Sequence, residues 1–141
     1  MDVLVPIDDS KPARKAVAHA TESYPDAGIH LLHVINPNTS MYGDGAVYAY
    51  ESLIDARREA ADGLFEEATE IAADAGYDTD SLSTETIVGQ PAREIVSVAK
   101  GGGYDLIVVG SHGREGASRV LLGSVAENVV RRAPVPVTVV R

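Results

Sequence analysis

The 141-residue chain contains no cysteine. Disulfide frameworks, cysteine-ligated zinc and thiol catalysis are therefore excluded. Lysine is scarce, occurring only at Lys11, Lys15 and Lys100, and 12 basic residues face 21 acidic ones for a formal net charge of -9. Binding to a phosphate backbone needs a basic face, so nucleic acid is not expected as a partner. No apolar run approaches the roughly 20 residues of a membrane span, and the start Met1-Asp2-Val3 lacks the basic opening of a signal peptide. The expectation is a soluble, cytoplasmic protein with no membrane partner. Two phosphate-binding patterns are also missing: Gly-x-x-x-x-Gly-Lys-Ser/Thr and Gly-x-Gly-x-x-Gly.

What is present is an alternation of strand-sized and helix-sized patterns. Residues 3–7 (Val-Leu-Val-Pro-Ile) read as a buried strand, and Ser10 then caps a helix with Pro12 in its first turn and Ala13, Ala16, Val17, Ala20 and Tyr24 at helical spacing. Residues 29–35 form a second apolar strand. Residues 37–49, with two glycines and two tyrosines, read as a mobile loop. From about 51 to 75, Leu53, Ala60, Leu64, Ala68, Ile71 and Ala75 mark the inward face of the longest helix, and Gly76 closes it. Leu82, Thr84, Thr86 and Val88 alternate as an edge-type strand. Gly89-Gln90-Pro91 opens a helix with Ile95, Val96 and Ala99 inward, and residues 105–110 are a fourth, buried strand.

A last helix begins near Ser124, with Val125, Val129 and Ala133 inward. A fifth strand runs from Val135 to Val140, with Pro136 marking it as an edge. One domain over residues 1–141 follows, of α/β class: a doubly wound, five-stranded parallel sheet of order 3-2-1-4-5 with helices on both faces. In such sheets ligands sit beyond the carboxyl ends of the strands at the switch point, here near Asp8 and Gly110.

The chemistry concentrates at residues 109–125, where Gly110-x-x-Gly113 is followed by nine residues and then Gly123-Ser124. Glycines let a backbone approach an anion closely, and the free N–H groups of a helix start point at it with a favourable dipole. The segment reads as a phosphate cradle for a small molecule; the alternative is that these glycines only make turns. Asp8 has two readings as well, a ligand contact or a helix-start acid. Arg114 and Arg119 neutralise phosphates or lie paired at the surface. His19, His30 and His33 have no metal-ligand spacing and read as structural.

These residues resemble the universal stress protein family in its ATP-binding branch. The resemblance spans almost the whole chain: residues 3–10, the second strand ending Leu31-Leu-His-Val34, Gly89-x-Pro91, and above all Gly110-x-x-Gly113-x9-Gly123-Ser124, which fills every position of that branch's signature. It implies a Rossmann-like fold akin to the adenine nucleotide alpha hydrolases. By resemblance, the Val34 backbone meets the adenine edge, Pro6, Ile7 and Asp8 line the adenosine, and Asp8 approaches ribose or a metal-linked phosphate. Gly110, Ser111, His112, Gly113 and Arg114 wrap ribose and phosphates, while Gly123, Ser124, Val125 and Ala126 meet the outer phosphates. Magnesium or manganese is carried by the phosphates, and a homodimer forms through the strand ending at Val140.

Two function classes stand side by side. One is a regulatory, stress-response module that binds ATP with little or slow hydrolysis. The other is a weak magnesium-dependent ATPase, with an AMP or other nucleotide sensor as a third form. Phosphoryl transfer needs a positive group and a water-orienting group; the chain offers Asp8, His112 and Arg114 but no lysine in the cradle, so efficient catalysis is not expected. Acids spread along the chain fit a salt-rich cytoplasm, where the Debye length falls to a few ångström; the alternative is an ordinary acidic protein.

Overall fold

A computed structural model describes residues 1–37, 46–111 and 122–141, with the side chains of 46–48 left aside. Five strands, β1 (Asp2–Pro6), β2 (Gly28–Ile35), β3 (Leu82–Val88), β4 (Leu106–Gly110) and β5 (Val137–Val140), alternate with helices α1 (Lys11–Ser23), α2 (Ala46–Asp74), α3 (Pro91–Gly101) and α4 (Ser124–Arg132). All pairings are parallel, as the alternation of elements predicts, and the strand order is the expected β3-β2-β1-β4-β5. No described helix is long and apolar enough to cross a membrane.

β1, β2 and β4 are largely apolar because both of their faces are covered. Val3, Val5, Ile29, Leu31, Leu106 and Val108 point to one side, where they pack with Ala16, Val17 and Ala20 of α1 and Ala68 and Ala72 of α2. Leu4, Leu32, Ile107 and Val109 point to the other, against Ala92, Ile95 and Ala99 of α3 and Ala126 and Val129 of α4. Period-two alternation thus sends successive side chains into two separate cores. At about 25 cal/mol per Å² of apolar surface, these layers are the main force holding the sheet.

The caps follow local chemistry. Ser10 Oγ accepts from the Ala13 N–H at 3.2 Å, and Gln90 Oε1 accepts from the Arg93 N–H at 2.8 Å. Gly76, at φ 80°, turns the chain out of α2 in a conformation that a side chain would strain. The following Tyr77 is buried, and its hydroxyl donates to the carbonyl of Ala27 at 2.6 Å, tying the end of α2 to the start of β2.

Three expectations are corrected. Residues 46–49, expected in a loop, belong to the first turn of α2, whereas 38–45 lie outside the described residues. In α2, Ala68 is buried and Leu64 and Ile71 pack against the core as expected, whereas Ala60 is exposed and Ile54, Ala61 and Ala72 are buried. Alanine is so frequent in this helix that its pattern fits more than one phase over the first turns. β5 is also shorter than expected: Pro136 stands just before it, with its carbonyl accepting from the Ile107 N–H at 3.0 Å but with no N–H to extend the ladder.

Candidate functional site

β1 and β4 are neighbours whose crossovers leave on opposite faces, and this divergence opens a crevice at their carboxyl ends. A cavity of about 120 Å³ lies there. Its walls come from Pro6, Ile7 and Asp8 after β1, Leu32 and Val34 of β2, and Val109 and Gly110 of β4. The starts of three helices complete it, with Ser10 and Ala13, Pro91 and Ile95, and Val125 and Ala126. The lining is apolar apart from Asp8 and Ser10, as ligand pockets usually are. Its volume is below the roughly 300–1,000 Å³ of pockets that enclose a whole ligand. That size suits a ring-sized part of a molecule.

Local bonds hold this wall in place. Ile7 N–H donates to the Leu32 carbonyl at 2.8 Å, continuing the β1–β2 ladder past Pro6. His33 Nδ1 lies 2.8 Å from the Ile7 carbonyl, which accepts only, so this nitrogen carries the proton. Asp8 is half-buried, and its Oδ1 accepts from the Ser10 N–H at 2.8 Å, forming a turn that delivers Ser10 to its cap. One oxygen of Asp8 therefore has a structural task. Behind this turn the Arg14 guanidinium bonds the Glu67 carboxylate, which pushes Arg14 further above its ordinary range, and donates to the Asp9 carbonyl at 3.1 Å.

Gly110 has a packing reason of its own. A Cβ there would lie 2.8 Å from the carbonyl carbon of Pro12 and 2.9 Å from the nitrogen of Ala13, so β4 meets the first turn of α1 closer than any side chain permits. Ser111 is buried; its N–H donates to the Val140 carbonyl and its own carbonyl accepts from the Gly123 N–H, both at 2.7 Å. The two ends of the intervening segment are thereby clamped together beside β5.

The three helix starts differ. α1 and α3 are capped by Ser10 and Gln90, whereas α4 follows Gly123 with no side-chain cap. Uncapped N–H groups at a helix start favour an anion through hydrogen bonding and the dipole. Among the described residues no group of three or more His, Asp or Glu side chains is placed to hold a metal.

Of the residues expected at a site from sequence, Pro6, Ile7, Asp8, Val34, Gly110, Val125 and Ala126 line the cavity. Ser111, Gly123 and Ser124 adjoin it without lining it, and Ser124 is exposed. His112, Gly113 and Arg114, like Arg119, lie outside the described residues. Sequence reasoning missed Ser10, Ala13, Leu32, Pro91, Ile95 and Val109 as lining residues. Each had been assigned to a cap or to the core, and the only available signal was its nearness to a strand end or a helix start.

The chain matches the profile of the Universal stress protein family over residues 1–141. Universal stress protein MJ0531 of Methanocaldococcus jannaschii is 32% identical over 143 residues, covering 99% of this chain and 81% of that protein. Among solved structures, the universal stress protein UspA from Lactobacillus plantarum superimposes with a TM-score of 0.86 at 28% identity, covering 100% of this chain and 97% of that one. A universal stress protein in complex with cAMP gives a TM-score of 0.68 at 26% identity, covering 100% and 96%.

Proposed function

Since the chain belongs to the universal stress protein family, we propose that it is an adenine-nucleotide-binding regulatory protein of the family's ATP-binding branch. The observation that carries this reading is the apolar cavity beside the one helix start of the three that has no side-chain cap. Adenine enters between Val34, Pro6 and Ile7, with Asp8 beside the ribose. The phosphates extend to Gly110, Ser111, Gly123 and the N–H groups of Ser124, Val125 and Ala126. The segment with His112, Gly113 and Arg114 completes the cradle. The solved relative in complex with cAMP supports an adenine nucleotide as the ligand class.

Magnesium or manganese would come with the phosphates and supply charge neutralisation, with Asp8, the one carboxylate among the described lining residues, placed to meet it directly or through water. The cradle offers Arg114 but no lysine, so charge developing in hydrolysis finds limited stabilisation there and turnover is slow. The protein acts in the cytoplasm as a stress-response module, by binding and by its homodimer surface along β5.

The test is mass spectrometry of nucleotide released by heat from freshly purified protein, paired with titration of a Ser124→Pro variant. Gly123 has φ -71° and ψ 166°, which suits a residue before proline, and Ser124 is the first helical position, where proline is tolerated. The variant should keep its fold by circular dichroism and bind ATP about tenfold more weakly, a loss of about 1.4 kcal/mol. Adenosine, which has no phosphate, should bind it as before. Equal ATP affinity in variant and wild type would remove α4 from the site.

A further inference from the structure

A second concave surface lies on the side of α3 and α4 away from the cradle, lined by Arg93, Val96, Ser97, Lys100 and Arg132. Its three cations are exposed, and among the described residues none has an ion-pair partner. Arg131 beside them differs: it is paired with Glu127 one turn back at 2.9 Å. In a chain of net charge -9, three unpaired cations converging from two helices on one groove are the exception to an acidic surface.

Their spacing selects the kind of ligand. Arg93 and Lys100 are seven residues apart on α3, about 10 Å along the axis at roughly 1.5 Å per residue. One phosphate group needs donors converging on a point, whereas cations spread over two turns match successive carboxylates along a polypeptide. Three charges also make too small a footprint for a nucleic-acid backbone on so acidic a protein. The floor is Val96, which is buried, so the cations rim an apolar base as in protein interfaces.

We propose that this α3–α4 groove is a docking surface for an acidic polypeptide segment of a partner protein. Complementary charge sets the encounter rate and the choice of partner, and Val96 gives the segment an apolar contact. The proposal is independent of what fills the cavity at the strand ends.

Fluorescence anisotropy of the full chain with a short labelled peptide rich in aspartate and glutamate tests this. Binding should appear at low ionic strength, weaken as salt screens the charges, and fall about tenfold or more in the variant Arg93→Ala/Lys100→Ala/Arg132→Ala. A variant with the same charge change elsewhere, Lys11→Ala/Lys15→Ala/Arg58→Ala, should bind as wild type does. Circular dichroism should show both variants folded. No binding by wild type, equal losses in the two variants, or tighter binding of a single-stranded oligonucleotide at the same residues would overturn the proposal. So would sedimentation showing that the three residues hold two copies of this chain together.

Discussion

Gly110 shows how one residue serves packing and the site together. Its missing side chain was legible as a cradle element, yet the approach to Pro12 and Ala13 gives it a structural demand that no linear pattern reveals. Gly110→Ala should lower unfolding free energy by about 1–3 kcal/mol through overpacking, seen in urea denaturation without nucleotide; an unchanged midpoint would mean that α1 shifts freely. Tyr77 is a second case. Burial, chiefly, raises its pKa above the ordinary value, so the neutral phenol is favoured in the fold. The sign follows: this stabilisation is complete below about pH 10, the unfolded value, and is lost as pH rises through the higher folded value. Tyr77→Phe removes the donor to the Ala27 and Ser81 carbonyls. It should cost about 1–3 kcal/mol at neutral pH and flatten the alkaline loss of stability.

Among the elements, α2 carries an unusual electrostatic load. Glu51, Asp55, Glu59, Asp62, Glu66, Glu70 and Asp74 are all exposed and follow one another at spacings of three or four. Each such like-charge pair costs an isolated helix about 0.2–0.5 kcal/mol. Salt screens these pairs, so the urea midpoint should rise with KCl. Glu66→Gln should gain a few tenths of a kcal/mol at low salt and nothing at high salt. A midpoint independent of KCl would remove the reading that the acidity suits a salt-rich cytoplasm. The same helix marks a limit of sequence reasoning. Its existence, its end at Gly76 and the inward face of its second half were legible from spacing and a turn residue, but its start and the phase of its first half were not, because alanine-rich turns leave little contrast between faces.

For the whole molecule, the decisive feature is the outer flank of β5, the last strand of the sheet among the described residues. In the register Ile107↔Val137, the Ile107 N–H donates to Pro136, so Thr138 and Val140 face β4 while the Val139 N–H faces outward. An apolar edge of this kind invites pairing with another strand, and a symmetric homodimer is the proposed cover. Val139→Pro should give a folded monomer by sedimentation, since it removes an outward donor and spares the β4 ladder. A dimer that survives this change forms elsewhere.

The sequence by itself determined the class and order of the elements. Period-two and helical spacing, the cap at Ser10, the helix-start proline Pro91 and largely apolar strands leave a parallel, doubly wound sheet as the arrangement that buries them. It also marked Asp8, Gly110 and Gly123-Ser124, because glycines and caps at strand ends are local signals. Only the tertiary structure decided that Leu32, Pro91, Ile95 and Val109 share a cavity with them, and that Arg93, Lys100 and Arg132 meet in one groove. The physical reason is that local conformation is written over a few neighbouring residues. A cavity is defined by atoms from strands and helices that only the packing of two faces brings together.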